Sequence, residues 1–178
     1  MKRNFVQNGL LASAIVFGAT GLFMSAAQAQ TTGSFDLGGE VTTTLTLGLT
    51  ADLSPLTLDG AAAGEAQIAQ VAALNSYTNN NLGYTLSATI TSMTKAGGTP
   101  IDFQVTTVAG GTTAPASGAF DATISTDTGV TIADLHSTNA ANAVNDDLRD
   151  LYVLYTPNAL QDPGTYSGTI SLTVLDNQ

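Results

Sequence analysis

The chain has 178 residues, no cysteine, a single histidine and a formal net charge of −10 at pH 7. Disulfides and thiolate metal sites are thereby excluded, and so acidic a chain repels nucleic acid and anionic lipid, which excludes binding through phosphate backbones. The length implies one domain with a self-sufficient core.

Residues 1–29 read as a cleaved signal peptide. Met1-Lys2-Arg3 is basic, Gly9 to Met24 is apolar, and Ala27-Gln28-Ala29 fits a signal-peptidase site. The competing reading is a membrane anchor, but no stop-transfer pattern follows, so no membrane span is expected after cleavage. Export removes Lys2 and Arg3, leaving Lys95 and Arg149 against 14 acidic residues, a mature net charge of −12. Without disulfides, an exported chain must hold itself together by packing.

From Gly33 to Leu49 the odd positions include Phe35, Leu37, Val41, Leu45, Leu47 and Leu49, while the even ones are polar or Gly. This period of two predicts strand, yet seventeen residues at ~3.3 Å each span roughly 56 Å, too long for one strand of a sandwich. Gly38-Gly39 is the expected break, which divides the segment into an N-terminal arm, residues 30–40, and a core strand from Val41 to Leu49 that opens a domain over residues 41–178.

Asp52 to Gly60, with Leu53, Leu56 and Leu58 around Pro55, predicts a short edge strand and a turn. Ala61 to Leu74 carries both a helical and a half-alternating pattern, and strand is favoured. Asn79-Asn80-Asn81-Leu82-Gly83 predicts a turn, because Asn and Gly tolerate positive φ. Tyr84, Leu86, Ala88 and Ile90 then alternate with Thr and Ser, and Ile101, Phe103 and Val105 do the same after Gly97-Gly98-Thr99-Pro100. Residues 110–118 are a flexible connection, Phe120, Ala122 and Ile124 predict a short strand, and Val130, Ile132 and Leu135 a ragged one. Leu151 to Tyr155 is apolar on both parities, as expected of a central strand covered on both faces.

In the last stretch Tyr166, Ile170, Leu172 and Val174 share one parity, with Gly168 as the gap, and Ser and Thr fill the other. Before it stands Asp162-Pro163-Gly164-Thr165-Tyr166, a D-x-G-x-Y spacing similar to the tyrosine corner of immunoglobulin-like sandwiches, in which the hydroxyl returns to backbone upstream. The expected fold is all-β, an immunoglobulin-like antiparallel sandwich. In that fold a further strand follows the corner strand, whereas the sequence stops at Gln178, so the last strand is expected to be missing.

Chemistry is sparse. His136 stands in a polar loop, no G-x-S-x-G surrounds any serine, and one histidine without cysteine makes a poor zinc site, so neither an enzyme nor a cofactor is implied. Asp146, Asp147 and Asp150 offer oxygen ligands for calcium, but their spacing matches no EF-hand, and a solvated acidic turn neutralised by Arg149 is the favoured reading. The tyrosines Tyr77, Tyr84, Tyr152, Tyr155 and Tyr166 are expected to pack in or beside the core rather than stack on sugar.

Thr31-Thr32-Gly33-Ser34-Phe35-Asp36-Leu37, together with Leu151 to Ala159 and Pro163-Gly164-Thr165-Tyr166-Ser167-Gly168-Thr169-Ile170, resembles secreted pilins of the spore-coat-U type, which belong to archaic chaperone–usher systems. The cysteines those pilins usually carry are absent. The resemblance implies a sandwich completed by the arm of the next subunit, with Phe35, Leu37 and Val41 as donor-strand side chains. It also implies a head-to-tail polymer as the partner, a periplasmic chaperone and an outer-membrane usher, and export to the surface or periplasm of a Gram-negative-type bacterium. Two other classes remain open at this point: a monomeric binding module, for carbohydrate or another surface ligand, whose arm folds back on its own sheet, and a coat protein without a ligand.

Overall fold

The structure, a computed structural model, describes residues 38–120 and 129–178. The expected signal peptide, Phe35, Leu37 and the short strand at Ala122 and Ile124 lie outside the described residues. By contacts the chain divides into Met1–Gly39 and Glu40–Gln178. The second unit is an all-β sandwich of seven strands among the described residues: β1 Leu45–Ala51, β2 Gln67–Thr78, β3 Tyr84–Thr94, β4 Phe103–Ala109, β5 Val130–Ser137, β6 Asp147–Tyr155 and β7 Ser167–Asp176.

One sheet has the order β1-β2-β6-β4 and the other β5-β3-β7, with every pairing antiparallel. The first order is the A-B-E-D arrangement of an immunoglobulin sheet, and β3 and β7 take the places of strands C and F. The core fills the space between the sheets, with Leu74, Leu86, Ile90, Val105, Leu151 and Val153 among its buried members. β6 lies between β2 and β4, as its two-sided apolar pattern predicts. Leu151, Val153 and Tyr155 face inward, and Tyr152, on the outer face, is still only 7% exposed.

Three local expectations are corrected. The core strand begins at Leu45 rather than Val41, and residues 41–44 belong to no strand. No strand forms over residues 52–59: Pro55 lacks an amide hydrogen for a ladder, and the Asp52 carboxylate captures the Ser54 amide at 2.9 Å. In the turn after β2 only Gly83 uses positive φ, at 76°; the asparagines there serve through their side chains. A Cβ on Gly83 would lie 2.3 Å from the Thr138 carbonyl oxygen, so glycine is required for close approach as well as for conformation.

Candidate functional site

The alternation of β7 turns Ile170, Leu172 and Val174 toward the core, but they are only half-buried, whereas Leu86, Ala88 and Ile90 on the neighbouring β3 are wholly buried. The difference is one of edges. β3 lies between β5 and β7, while the outer edge of β7 pairs with no strand among the described residues. Across that open side stand β1 and residues 52–58, with Leu45, Leu47, Leu56 and Leu58 also half-buried. The result is an apolar groove with an unpaired ladder along one wall.

β7 runs from the Pro163–Tyr166 corner toward the turn that holds Asn79 and Asn80, so the groove has a corner end and a turn end. At the corner end it deepens into a cavity of about 200 Å³ lined by Leu56, Val71, Met93, Phe103, Val153 and Ile170. Gly168 borders it. A Cβ there would come within 2.9 Å of the Thr91 carbonyl oxygen and 3.1 Å of Met93 Cγ, so the break in the apolar alternation of β7 is enforced by close packing on β3.

The corner itself is built from side chains. Gln161 Nε2 donates to the Tyr166 hydroxyl at 2.7 Å and to the Thr99 carbonyl at 2.8 Å, and the Thr99 amide donates to Asp162 Oδ2 at 3.1 Å. The hydroxyl of Tyr166 therefore meets a glutamine side chain, where the sequence motif implies upstream backbone. Gly164 turns the chain at φ 138°, and a Cβ on it would press Lys95 Cε at 3.0 Å.

At the turn end asparagine amides do the joining. Asn79 Oδ1 accepts from the Thr44 amide at 2.8 Å, its Nδ2 donates to the Thr42 carbonyl at 2.8 Å, and its own amide donates to the Thr44 carbonyl at 3.1 Å. Asn142 bonds the Thr78 amide and the Ser76 carbonyl, and Asn177 donates to the carbonyls of Leu82 and Thr138. Val41, 88% exposed, lines a second cavity beside Asp176 and Asn177.

Asp146, Asp147 and Asp150 are not brought together. Asp146 accepts from the Ala143 amide at 2.9 Å and Asp150 from the Gly111 amide at 2.8 Å, while Asp147 takes the Tyr84 hydroxyl and stands 2.9 Å from His136 Nε2. The solvated-turn reading is corrected at Asp150, which is a strand residue 8% exposed. Arg149 bonds the Thr107 carbonyl at 3.0 Å and its hydroxyl at 3.1 Å. Among the described residues no group of three metal-ligating side chains converges. Burial, then the Asp147 carboxylate, pushes the Tyr84 phenol up to about 12.

The sequence marks the apolar parity of β7 but not the asparagine joints, because an amide's bonds to distant backbone leave no local pattern; the run of Asn at 79–81 is the one signal, and it reads as turn chemistry alone. No protein-family model, no curated protein and no solved structure matches this chain.

Proposed function

We propose that this protein is an exported structural subunit of a surface fibre, with no catalytic role, in which each groove is filled by the N-terminal arm of another copy. The observation that carries the reading is the outer edge of β7: unpaired among the described residues, and flanked by the half-buried Ile170, Leu172 and Val174. An inserted strand would satisfy the ladder and lay alternate side chains, Phe35 and Leu37 first, on the groove floor. Each would contribute about 1.5–3 kcal/mol by burial.

Polarity follows from the ends. Because β1 starts at the turn end, the arm leaves there, and an arm arriving antiparallel to β7 belongs to a subunit stacked beyond the corner end. Such a contact joins the turn end of one copy to the corner end of the next, which is heterologous and open-ended. Secretion and service by a chaperone and an usher belong to this proposal. So does recognition of like copies, through the groove; nucleic acid is no partner, because the mature charge repels it.

Leu37→Arg, or deletion of Thr31 to Leu37, should convert polymers into soluble monomers, while Asp36→Ala on the opposite parity should leave them intact. Size exclusion and electron microscopy of the three variants test this. The alternative, a self-completed monomeric binding module, is favoured by one observation, the position of Val41 beside the end of its own β7. A parent protein that is strictly monomeric in its native secretion would establish that alternative instead.

A further inference from the structure

We infer that Lys95 at the corner end is the docking charge for a second copy and pairs with Glu40 at that copy's turn end; this rests on the assembly reading above. Export leaves two cations, Lys95 and Arg149, against 14 acidic residues. The Arg149 guanidinium is committed within its own sandwich, where it donates to the carbonyl and hydroxyl of Thr107. The Lys95 ammonium has no ion pair and no hydrogen bond among the described residues, so it is the cation left for a partner. Its place is fixed. Lys95 follows Thr94, the last residue of β3, and its stem fills the room left by two glycines: a Cβ on Gly98 would stand 2.6 Å from Lys95 Cγ, and one on Gly164 3.1 Å from Cδ. Gln161 ties Thr99 of the same turn to Tyr166, and beside Gln161 stands Leu160, 96% exposed.

The turn end has the opposite character. Glu40 is exposed and makes no hydrogen bond or ion pair among the described residues, whereas Asp146 and Asp176 accept from the Ala143 amide and the Thr78 hydroxyl. Asn79 anchors Thr42 and Thr44, so Glu40 and the exposed Val41 stand just beyond a fixed point. Copies that each carry −12 repel in most orientations, and the approach that sets a lone cation against a lone acid is favoured over the rest. Two turn ends would oppose acid to acid. The outer face of β3 and β7 presents Ser87, Thr89, Thr91, Thr169 and Ser171, hydroxyls with no charge to pair. A turn end set on a corner end brings Glu40 to Lys95 and Val41 toward Leu160, an apolar contact with a charged rim. The groove has the same polarity. An arm antiparallel to β7 leaves the groove at the corner end, and the last residue of that arm is Glu40.

The full exported chain is refolded from denaturant at low and at high salt, and polymer growth is followed by light scattering. Lys95→Glu and Glu40→Lys should each slow growth at low salt by on the order of tenfold, since each turns the attraction into repulsion. The gap to the parent should close at high salt, where the Debye length falls to about 3 Å at 1 M. Combining the two reversals should restore growth to within about threefold of the parent, because the charges depend on each other. If Lys95→Glu does not fold, Lys95→Met, which keeps the stem over Gly98 and Gly164, should show a smaller loss with the same salt dependence. Single variants that grow like the parent, or a double variant as slow as either single one, would overturn the pairing. Polymers lost in Leu37→Arg but kept in those variants would at the same time leave the assembly reading standing. Slow growth in Lys95→Glu with Glu40→Lys unaffected would also overturn the pairing and point to a different acid, as in a twofold pair of corner ends. A parent that stays monomeric at both salt levels and in its native secretion would overturn the pairing and the assembly reading together.

Discussion

The hydroxyl of Tyr84 on β3 donates to the carboxylate of Asp147 on β6, so one phenolic proton ties the two sheets together at the turn end. His136 on β5 approaches the same oxygen at 2.9 Å, and its ring meets that of Tyr84 edge-on with centroids 6.1 Å apart. In the folded chain the phenol is pushed up to about 12 from an ordinary 10.0. Unfolding therefore releases a group that ionises more easily. The stability it supplies is complete below about pH 10 and is lost as pH rises toward about 12. Circular dichroism against pH, followed together with phenolate absorbance, should show Tyr84 ionising only as the sandwich opens. Tyr84→Phe should be less stable at neutral pH by about 1.5–3 kcal/mol, the worth of a hydrogen bond to a charged group. Its stability should also fall less steeply between those two pH values. An unchanged alkaline slope in the variant would show that the tie carries no linkage.

Asn142 gives the second expectation. It serves β2 beyond Asp147, where β6 begins, accepting from the Thr78 amide at 2.9 Å and donating to the Ser76 carbonyl at 2.7 Å. Asn142→Ala strands both backbone groups and should cost about 2–3 kcal/mol in urea unfolding, with an unaltered denaturant slope. Asn142→Asp keeps the acceptor and loses the donor, so its midpoint should fall between those of the parent and the alanine variant.

Two glycines at positive φ separate backbone strain from steric collision. Gly97 sits at φ 70° with open space around a Cβ, so Gly97→Ala should cost only the left-handed conformation, about 1–2 kcal/mol. Gly83 sits at φ 76° with the Thr138 carbonyl in the way, so Gly83→Ala should cost at least about 3 kcal/mol. Equal melting temperatures for the two variants would mean that the turn end yields to the added methyl.

The sandwich was legible wherever a strand has one wet face. β3, β4 and β7 follow the parity of Tyr84, Phe103 and Ile170, and β6 betrays its central place by the two-sided run from Leu151 to Tyr155. The pattern misled where a polar atom outcompeted the ladder. Leu53, Leu56 and Leu58 stand around Pro55 in a manner consistent with an edge strand, yet the Asp52 carboxylate and the missing proline donor leave that segment irregular. For the groove, the inward side chains of β7 were readable, but their incomplete burial depends on which strand lies beside them, which no single segment encodes. The Asn79 joint was unreadable for the same reason, since its side-chain partners lie thirty-five or more residues away along the chain.

Four joints at the turn end are neutral amides, and that fixes what can undo those four. Asn79, Asn80, Asn142 and Asn177 hold this end through their side chains in a chain that has no cysteine. A carboxamide neither accepts electrons from a thiol reductant nor changes charge across the range where carboxylates and imidazoles titrate. Folding accordingly includes no oxidation step and calls on no disulfide-forming catalyst, and reducing agents have no joint of this end to cut. Such joints are vulnerable instead to heat, because asparagine is among the thermolabile side chains.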